Sequence, residues 1–329
     1  MPKALITTVP YGSSGRLSLE NLESAGIDYL INPIGRKLKE DELAEMVADF
    51  DVIIAGTEPI TDKVMAKAQN LKLISRVGIG LDSVDLLAAE RRGIQVCYTP
   101  DAPAPAVAEL TIGLMLSLLR SVHLSNAKMH RGEWHRYFGR RIPDVTIAVI
   151  GVGRIGGRLL RRLSAFGTPR VLVNDSHPNL KVAPQLKLEW VDKETIYREA
   201  DLITLHLPLT MKTKNMIRRD QLMMMKGDAM IINTSRGGLI NEQDLANVMN
   251  SGHLSGAAID VFDDEPYNGE LKEIERCLLT SHMGSMSIDC RTRMEIEAAD
   301  EAVRFFSGLP LQGLVPPDEY DIQREGLQH

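Results

Sequence analysis

Cysteine is scarce in this chain. Cys97, Cys277 and Cys290 are the only three among 329 residues. Their number is odd, and they form no C-x-x-C pair and no metal-ligand spacing. This argues against a disulfide framework and against a bound metal, and it suits a reducing compartment. Positive charge is not in excess either. The net charge of −6 gives no reason to expect a nucleic-acid partner. No run of about eighteen apolar residues exists, so no transmembrane helix and no membrane partner are expected. The opening Met1–Val9 has too short an apolar stretch for a signal peptide. A cytoplasmic protein is the expectation. What is present is ordinary for a globular chain: 44% hydrophobic and 25% charged residues, with length for two domains and sizeable cores.

The informative stretch lies near the middle, from Thr146 to Asp175. Ile147–Ile150 is a short, β-branched apolar run that suits a buried parallel strand. Gly151, Gly153 and Gly156 follow in G-x-G-x-x-G order, and Ile155, Leu159 and Leu163 then recur at helical spacing. Val171–Val173 supplies the next strand, and Asp175 stands nineteen residues after Gly156. Each part has a physical task in dinucleotide binding. Gly151 permits the tight turn, Gly153 leaves the backbone open to a pyrophosphate, and Gly156 lets helix and strand pack closely. The helix start offers N–H groups and partial positive charge to phosphates. Asp175 can accept hydrogen bonds from an adenosine ribose.

Before this stretch, strands are expected at Ala4–Thr7, Val52–Ala55, Leu71–Ser75 and Ile94–Cys97, with helices at Ser18–Ala25, Lys39–Asp49, Asp62–Gln69 and Val84–Arg92. The alternation argues for a parallel sheet covered on both faces. Thr99–Pro105 holds three prolines in seven residues and reads as a linker or sharp turn. Ala106 to about Arg131 reads as one long helix, with Leu110, Leu114, Leu118 and Val122 every four residues. Lys128, His130, Arg131, His135, Arg136, Arg140 and Arg141 then form a basic segment. It is either a solvated loop or a positive wall near an anionic substrate or a neighbouring subunit. After Asp175, strands are expected at Leu202–Leu205, Ala229–Ile232, Ala257–Val261 and Leu278–Thr280, in a doubly wound pattern. Helix returns over Ser287–Ser307, and the tail from Gly313 reads as loosely ordered. His123, His177, His253 and His329 read as structural or exposed.

Polar residues follow three of these strands. Asn233–Gly238, Asp260–Pro266 and Ser281–Ser285 each sit at the carboxyl edge of the cofactor sheet, where Arg236, Glu265 and His282 could converge on one substrate. At this point the chain resembles the D-isomer-specific 2-hydroxyacid dehydrogenase family. The residues that carry the resemblance are Gly151–Gly156 with Asp175, His206–Thr210, Asn233–Leu239, Asp260–Pro266, Ser281–Ser285, Arg76–Asp85 and Val107–Glu109, in the family's order across nearly the whole chain.

The resemblance implies a Rossmann cofactor domain, residues 99–289, inserted into a flavodoxin-like substrate domain, residues 1–98 plus 290–329. Substrate would bind in the cleft between them, with hinges near 99–105 and 284–290. The resemblance also implies roles. Arg236 would bind the substrate carboxylate and polarise the C2 carbonyl, a task suited to a planar guanidinium. His282 would be the general acid/base, held by Glu265. Arg76, Val77, Gly78 and Thr57 would meet the substrate, with amides around Val77–Gly80 on its carboxylate and Tyr11 among the specificity residues. Gly151, Gly153, Arg154, Ile155, Gly156, Asp175, His206, Pro208, Thr234, Ser235, Asp260, His282 and Gly284 would hold NAD, with Asp260 on the nicotinamide carboxamide. A homodimer with the long helix in its interface is implied too.

Some positions depart from the family pattern. Ser83 stands where relatives often carry Asn, and Ser281 replaces the usual Pro before the histidine. Ala55–Glu58 lacks the Arg with which phosphoglycerate dehydrogenases meet the substrate phosphate, which argues against 3-phosphoglycerate unless Arg140 or Arg141 compensates. No C-terminal serine-sensing domain is expected. Other readings stay open: a phosphonate-bearing or other anionic substrate, and a non-catalytic NAD-sensing binding protein.

Asp175 decides the expected cofactor. A carboxylate beside the adenosine 2′ position accepts from ribose hydroxyls but repels a 2′-phosphate, and Ser176–Asn179 offers no arginine pair for that phosphate. NAD(H) should therefore be preferred over NADP(H). Steady-state kinetics with both reduced cofactors check this, and a higher kcat/KM with NADPH would contradict it.

Overall fold

The computed structural model describes residues 1–167, 169–179 and 181–326. The chain divides into two compact units. One is Met1–Pro103 together with the segment from Met286 onward, and the other is Ala104–Ser285.

The first unit contains β1 (Lys3–Ile6), β2 (Asp28–Ile31), β3 (Val52–Ala55), β4 (Leu73–Arg76) and β5 (Gln95–Tyr98). They pair in parallel in the order β2-β1-β3-β4-β5, the flavodoxin-like order. β3 and β4 are buried throughout, so up to Arg76 they read as continuous apolar or small-residue runs rather than alternating ones. Helix Ile288–Phe306 belongs to this unit and packs on β4, where Ser75 donates to the carbonyl of Ala298 at 2.8 Å.

The second unit contains β6 (Thr146–Ile150), β7 (Arg170–Asn174), β8 (Leu188–Trp190), β9 (Leu202–Leu205), β10 (Met230–Asn233), β11 (Gly256–Ile259) and β12 (Cys277–Leu279). Their order is β12-β11-β10-β9-β6-β7-β8, all parallel. Counted from β6, this is the Rossmann order with one further strand. The strand residues alternate between two cores. Ala148, Ile150, Ile203 and Ile231 face one layer of helices, while Ile147, Val149, Leu202 and Ile232 face the other. Each Val, Leu or Ile side chain among them contributes roughly 1.5–3 kcal/mol on burial. The second core also contains Leu114, Met115 and Leu118 of helix Ala104–Leu119, packed with Leu159, Leu160 and Leu163 of the helix after the glycine loop.

Four expectations change. β2 and β8 were not anticipated. Both are edge strands of only three or four residues with no fully buried residue, so their alternation is too short to stand out. The long helix is two helices, Ala104–Leu119 and Val122–His130, bent by 67°. The break falls at Ser121, which has a left-handed φ of 51°. No Gly or Pro marks it, and the apolar spacing runs on through it to Val122. Helix Val122–His130 has no buried residue, so the expected burial stops at Leu119. The tail is also ordered: Pro317–Gly326 is a helix. Gln323 caps helix Leu86–Arg91 by accepting from the Leu86 amide at 2.9 Å and donates to the carbonyl of Val84 at 2.8 Å, and Arg324 pairs with Glu90 at 2.7 Å. These anchors are polar, so apolar patterning cannot show them. Among the described residues no single helix is long and apolar enough to cross a membrane.

The glycine loop after β6 separates two kinds of glycine. A Cβ on Gly151, whose φ is 94°, would lie 2.2 Å from the His206 carbonyl oxygen, and one on Gly156 would lie 2.0 Å from the Gly151 oxygen. The fold itself demands both. A Cβ on Gly153 would meet nothing among the described residues within 4 Å. Its open face at the start of helix Arg154–Leu163 is where the glycine spacing expects a pyrophosphate. Gly156→Ala should lower the melting temperature markedly. Gly153→Ala should leave it unchanged while weakening NADH binding about tenfold or more. Thermal denaturation and NADH titration of both variants check this, and equal effects on stability would contradict it.

Candidate active site

Asp175 follows the end of β7 and is already oriented. Its Oδ2 accepts from the Val152 amide in the glycine loop at 2.6 Å, and its Oδ1 accepts from the His177 amide at 2.8 Å. The carboxylate is thus fixed beside the turn expected to hold pyrophosphate. His206 follows β9, and its carbonyl fills the space that Gly151 leaves. Its Nε2 lies 3.0 Å from Thr204 Oγ1, and its buried Nδ1 has no partner among the described residues. Burial pushes the imidazole down to about 3, so His206 is neutral at physiological pH, with one ring nitrogen a donor and the other an acceptor. Pro208 is exposed two residues later.

The loop after β10 is held by its own side chains. Asn233 Oδ1 accepts from the Ser235 amide at 3.1 Å and from Ser235 Oγ at 2.9 Å. Asn233 Nδ2 donates to the Arg236 carbonyl at 2.7 Å. Thr234 Oγ1 lies 3.0 Å from Thr111 Oγ1 of the buried helix. Arg236 is half-buried, with Nη1 on the Ser235 carbonyl at 2.6 Å. A Cβ on the next residue, Gly237, would fall 2.1 Å from the carbonyl carbon and oxygen of Phe262. That close approach sets the Arg236 loop directly against the loop after β11, which carries Glu265.

Glu265 and His282 meet. Both carboxylate oxygens face the His282 Nδ1, at 3.0 and 2.9 Å, and Oε1 also accepts from the Phe262 amide at 3.2 Å. An ionised carboxylate only accepts, so Nδ1 carries the hydrogen and Nε2 is left for chemistry. The His282 side chain is about one-third exposed, at 36%. Its backbone sits at a φ of 49°, unusual for a residue with a side chain.

Asp260 explains that conformation. It is fully buried. Its Oδ1 accepts from Thr280 Oγ1 at 2.6 Å and from the Met283 amide at 2.9 Å, and its Oδ2 accepts from the Gly284 amide at 2.9 Å. The His282 amide donates to the Asp260 carbonyl at 2.8 Å. Both carboxylate oxygens are thus engaged by the histidine turn, a task that sequence reading did not assign to Asp260. The only available signal was an acid at the end of an apolar strand.

In the first unit, Thr57 is exposed just beyond β3, and Arg76 closes β4 with its side chain nearly buried and Nη1 donating to the Val77 carbonyl. The Val77 amide donates to the Ala55 carbonyl at 2.9 Å, and the Gly78 amide to Thr99 Oγ1 at 2.8 Å. Those two amides are therefore occupied within the unit. Glu58 is buried and accepts from the Gly56 amide at 2.9 Å and from the Thr7 hydroxyl. Sequence reading had noted only the missing Arg there.

Three charges of the basic segment are paired inside the second unit. Lys128 pairs with Glu133 at 2.5 Å, Arg131 with Glu275 at 2.5 Å and Arg140 with Asp201 at 3.3 Å. His177 is exposed, His123 is half-buried, and His253 Nε2 lies 3.0 Å from the Leu222 carbonyl. His329 lies outside the described residues. The three cysteines are buried and free, and no group of three potential metal ligands exists among the described residues.

Known proteins match this chain in sequence and fold. Residues 112–284 match the family described as D-isomer specific 2-hydroxyacid dehydrogenase, NAD binding domain. The chain is 38% identical to D-3-phosphoglycerate dehydrogenase of Methanocaldococcus jannaschii over 82% of its own length, but spans only 52% of that relative. It is 34% identical to hydroxypyruvate reductase of Thermotoga maritima over 80% of its length and 87% of that protein's. The crystal structure of the TT0316 protein of Thermus thermophilus superposes with a TM-score of 0.86 at 31% identity, covering 95% of this chain and 100% of that one. The stretch around the glycine loop and the Glu265–His282 pair is thus an NAD-binding domain, and the chain belongs to the D-isomer specific 2-hydroxyacid dehydrogenase family.

Proposed function

We propose that the protein reduces a small, unphosphorylated 2-oxo acid to its D-2-hydroxy acid with NADH, and runs the reverse reaction with NAD. The observation that carries this reading is His282 Nδ1 set on both oxygens of Glu265 at the carboxyl edge of the NAD-binding sheet. NADH, when bound, supplies a hydride for C2 of the acid. His282 donates a proton from Nε2 to the oxygen on C2, so that one hydride and one proton convert the carbonyl to an alcohol. Glu265 fixes the ring's tautomer and balances the charge of the imidazolium. Arg236 takes the substrate carboxylate and draws electron density from the carbonyl. Arg154, Ile155 and the open face of Gly153 receive the pyrophosphate, and Asp175 the ribose. Thr57, Arg76 and the turn after β4 belong to the substrate. Because the Val77 and Gly78 amides are occupied, the amides of Ile79 and Gly80 take the carboxylate there.

Charge near β3 supports a substrate without a phosphate. The stretch after β3 offers the buried carboxylate of Glu58 and no arginine, and Arg140 is already paired with Asp201. The same Glu58 carboxylate disfavours a phosphonate-bearing acid. The protein acts in the cytoplasm as a homodimer under this proposal.

NADH oxidation should be seen with unphosphorylated acids such as hydroxypyruvate or glyoxylate in a panel of 2-oxo acids. His282→Ala should lower kcat at least about a hundredfold. A near-normal kcat would refute the proton donor. An NADH-binding protein that reduces no acid would favour a sensor instead.

A further inference from the structure

The carboxyl edge of the five-stranded sheet carries a buried polar assembly that the proposed reaction does not use. It lies on the segment Thr8–Gly12, just after β1, and on one turn of helix Ile288–Phe306. Arg291 and Glu295, four residues apart, are 8% and 2% exposed. Arg291 Nε donates to Glu295 Oε1 at 2.8 Å. Arg291 Nη2 donates to Thr8 Oγ1 at 3.0 Å and to the Pro10 carbonyl. Glu295 Oε2 accepts from the Gly12 amide at 2.9 Å, and the Glu295 carbonyl accepts from the Tyr11 phenol at 3.2 Å.

The geometry points to a clamp: the Arg291–Glu295 pair, with the inward-turned Tyr11, fixes the Thr8–Gly12 segment so that its outward residues Val9, Pro10 and Gly12 form a rigid wall for the substrate, which makes Arg291 and Glu295 positioning residues. This rests on the proposed reaction. Three considerations support it. In parallel sheets, ligands meet the loops beyond the carboxyl ends of the strands, and β1 lies where the strand order reverses, with β2 on one side and β3 on the other. Loops at such an edge need outside anchors, because their own backbone groups lack sheet partners. A buried ion pair is also a poor way to gain stability alone, since desolvation offsets most of its attraction. Here the pair's remaining hydrogen-bonding capacity goes to the loop: two donors to Thr8 and Pro10, one acceptor to Gly12. Gly12 fits the same purpose. Its φ of 70° and a Cβ position 3.0 Å from Leu19 Cδ1 leave the turn a single tight course. The planar fork of an arginine reaches Glu295, Thr8 and Pro10 together, whereas a lysine ammonium on a flexible stem cannot span all three.

The test compares the full-length protein with Arg291→Lys and with the milder Thr8→Val, which removes only one contact. Arg291→Lys should raise KM for the 2-oxo acid about tenfold or more, leave the Kd for NADH within about twofold, and change kcat little. Thr8→Val should shift KM the same way by a smaller factor. Amide hydrogen exchange over residues 8–12 should quicken in Arg291→Lys while β1 and β3 stay protected. An unchanged KM, or a loss of Vmax that only follows the folded fraction, would overturn the clamp. Exchange is read without turnover, so the clamp is tested even if no 2-oxo acid proves to be a substrate. Unaltered exchange at residues 8–12 would overturn it on that ground too.

Discussion

The site depends on the buried carboxylate of Asp260. A carboxylate with no solvent contact is costly unless its oxygens are satisfied, and here three donors satisfy them: the Thr280 hydroxyl and the amides of Met283 and Gly284. Those donors flank His282 on both sides. The turn they impose puts His282 at a φ of 49°, a strain of about 1–3 kcal/mol. Hydrogen bonds to a charged group contribute about 1.5–3 kcal/mol each, so three of them outweigh that strain. The imidazole then has one course, toward Glu265.

The same reasoning extends outward. Glu265 sits on the loop after β11, and the loop after β10 presses on it where Gly237 meets the Phe262 backbone. Arg236 is the residue before that contact. Three separate strand ends are thereby locked together by a buried acid, a close backbone approach and a charge-assisted pair. None of these needs substrate to form. An arrangement assembled in advance spends little binding energy on ordering itself, which is what stabilising a developing charge requires.

Much of this was legible in the sequence because it rests on strong local signals. The glycine spacing, the β-branched strand before it and Asp175 marked the cofactor loop. Polar residues at three strand ends marked Arg236, Glu265 and His282. What stayed hidden has physical causes. β2 and β8 are short edge strands with no fully buried residue, so their alternation spans too few positions to stand out. The bend at Ser121 lies inside an unbroken apolar repeat, and only the backbone reveals it. The tail helix is held by Gln323 and Arg324, side chains that in a sequence look like solvent-facing ones. Asp260 was visible as an acid at a strand end, but its direction was not: sequence spacing cannot tell whether a carboxylate faces a ligand or folds back on its own turn.

The central claim is that hydride and proton reach opposite ends of one carbonyl, with Arg236 holding the acid and Glu265 holding the proton donor His282. NADH deuterated at the transferable C4 position tests it most directly. Single-turnover reduction of a 2-oxo acid should give a product with deuterium at C2 and D configuration. A product of L configuration, or one whose C2 hydrogen comes from solvent, would contradict the account.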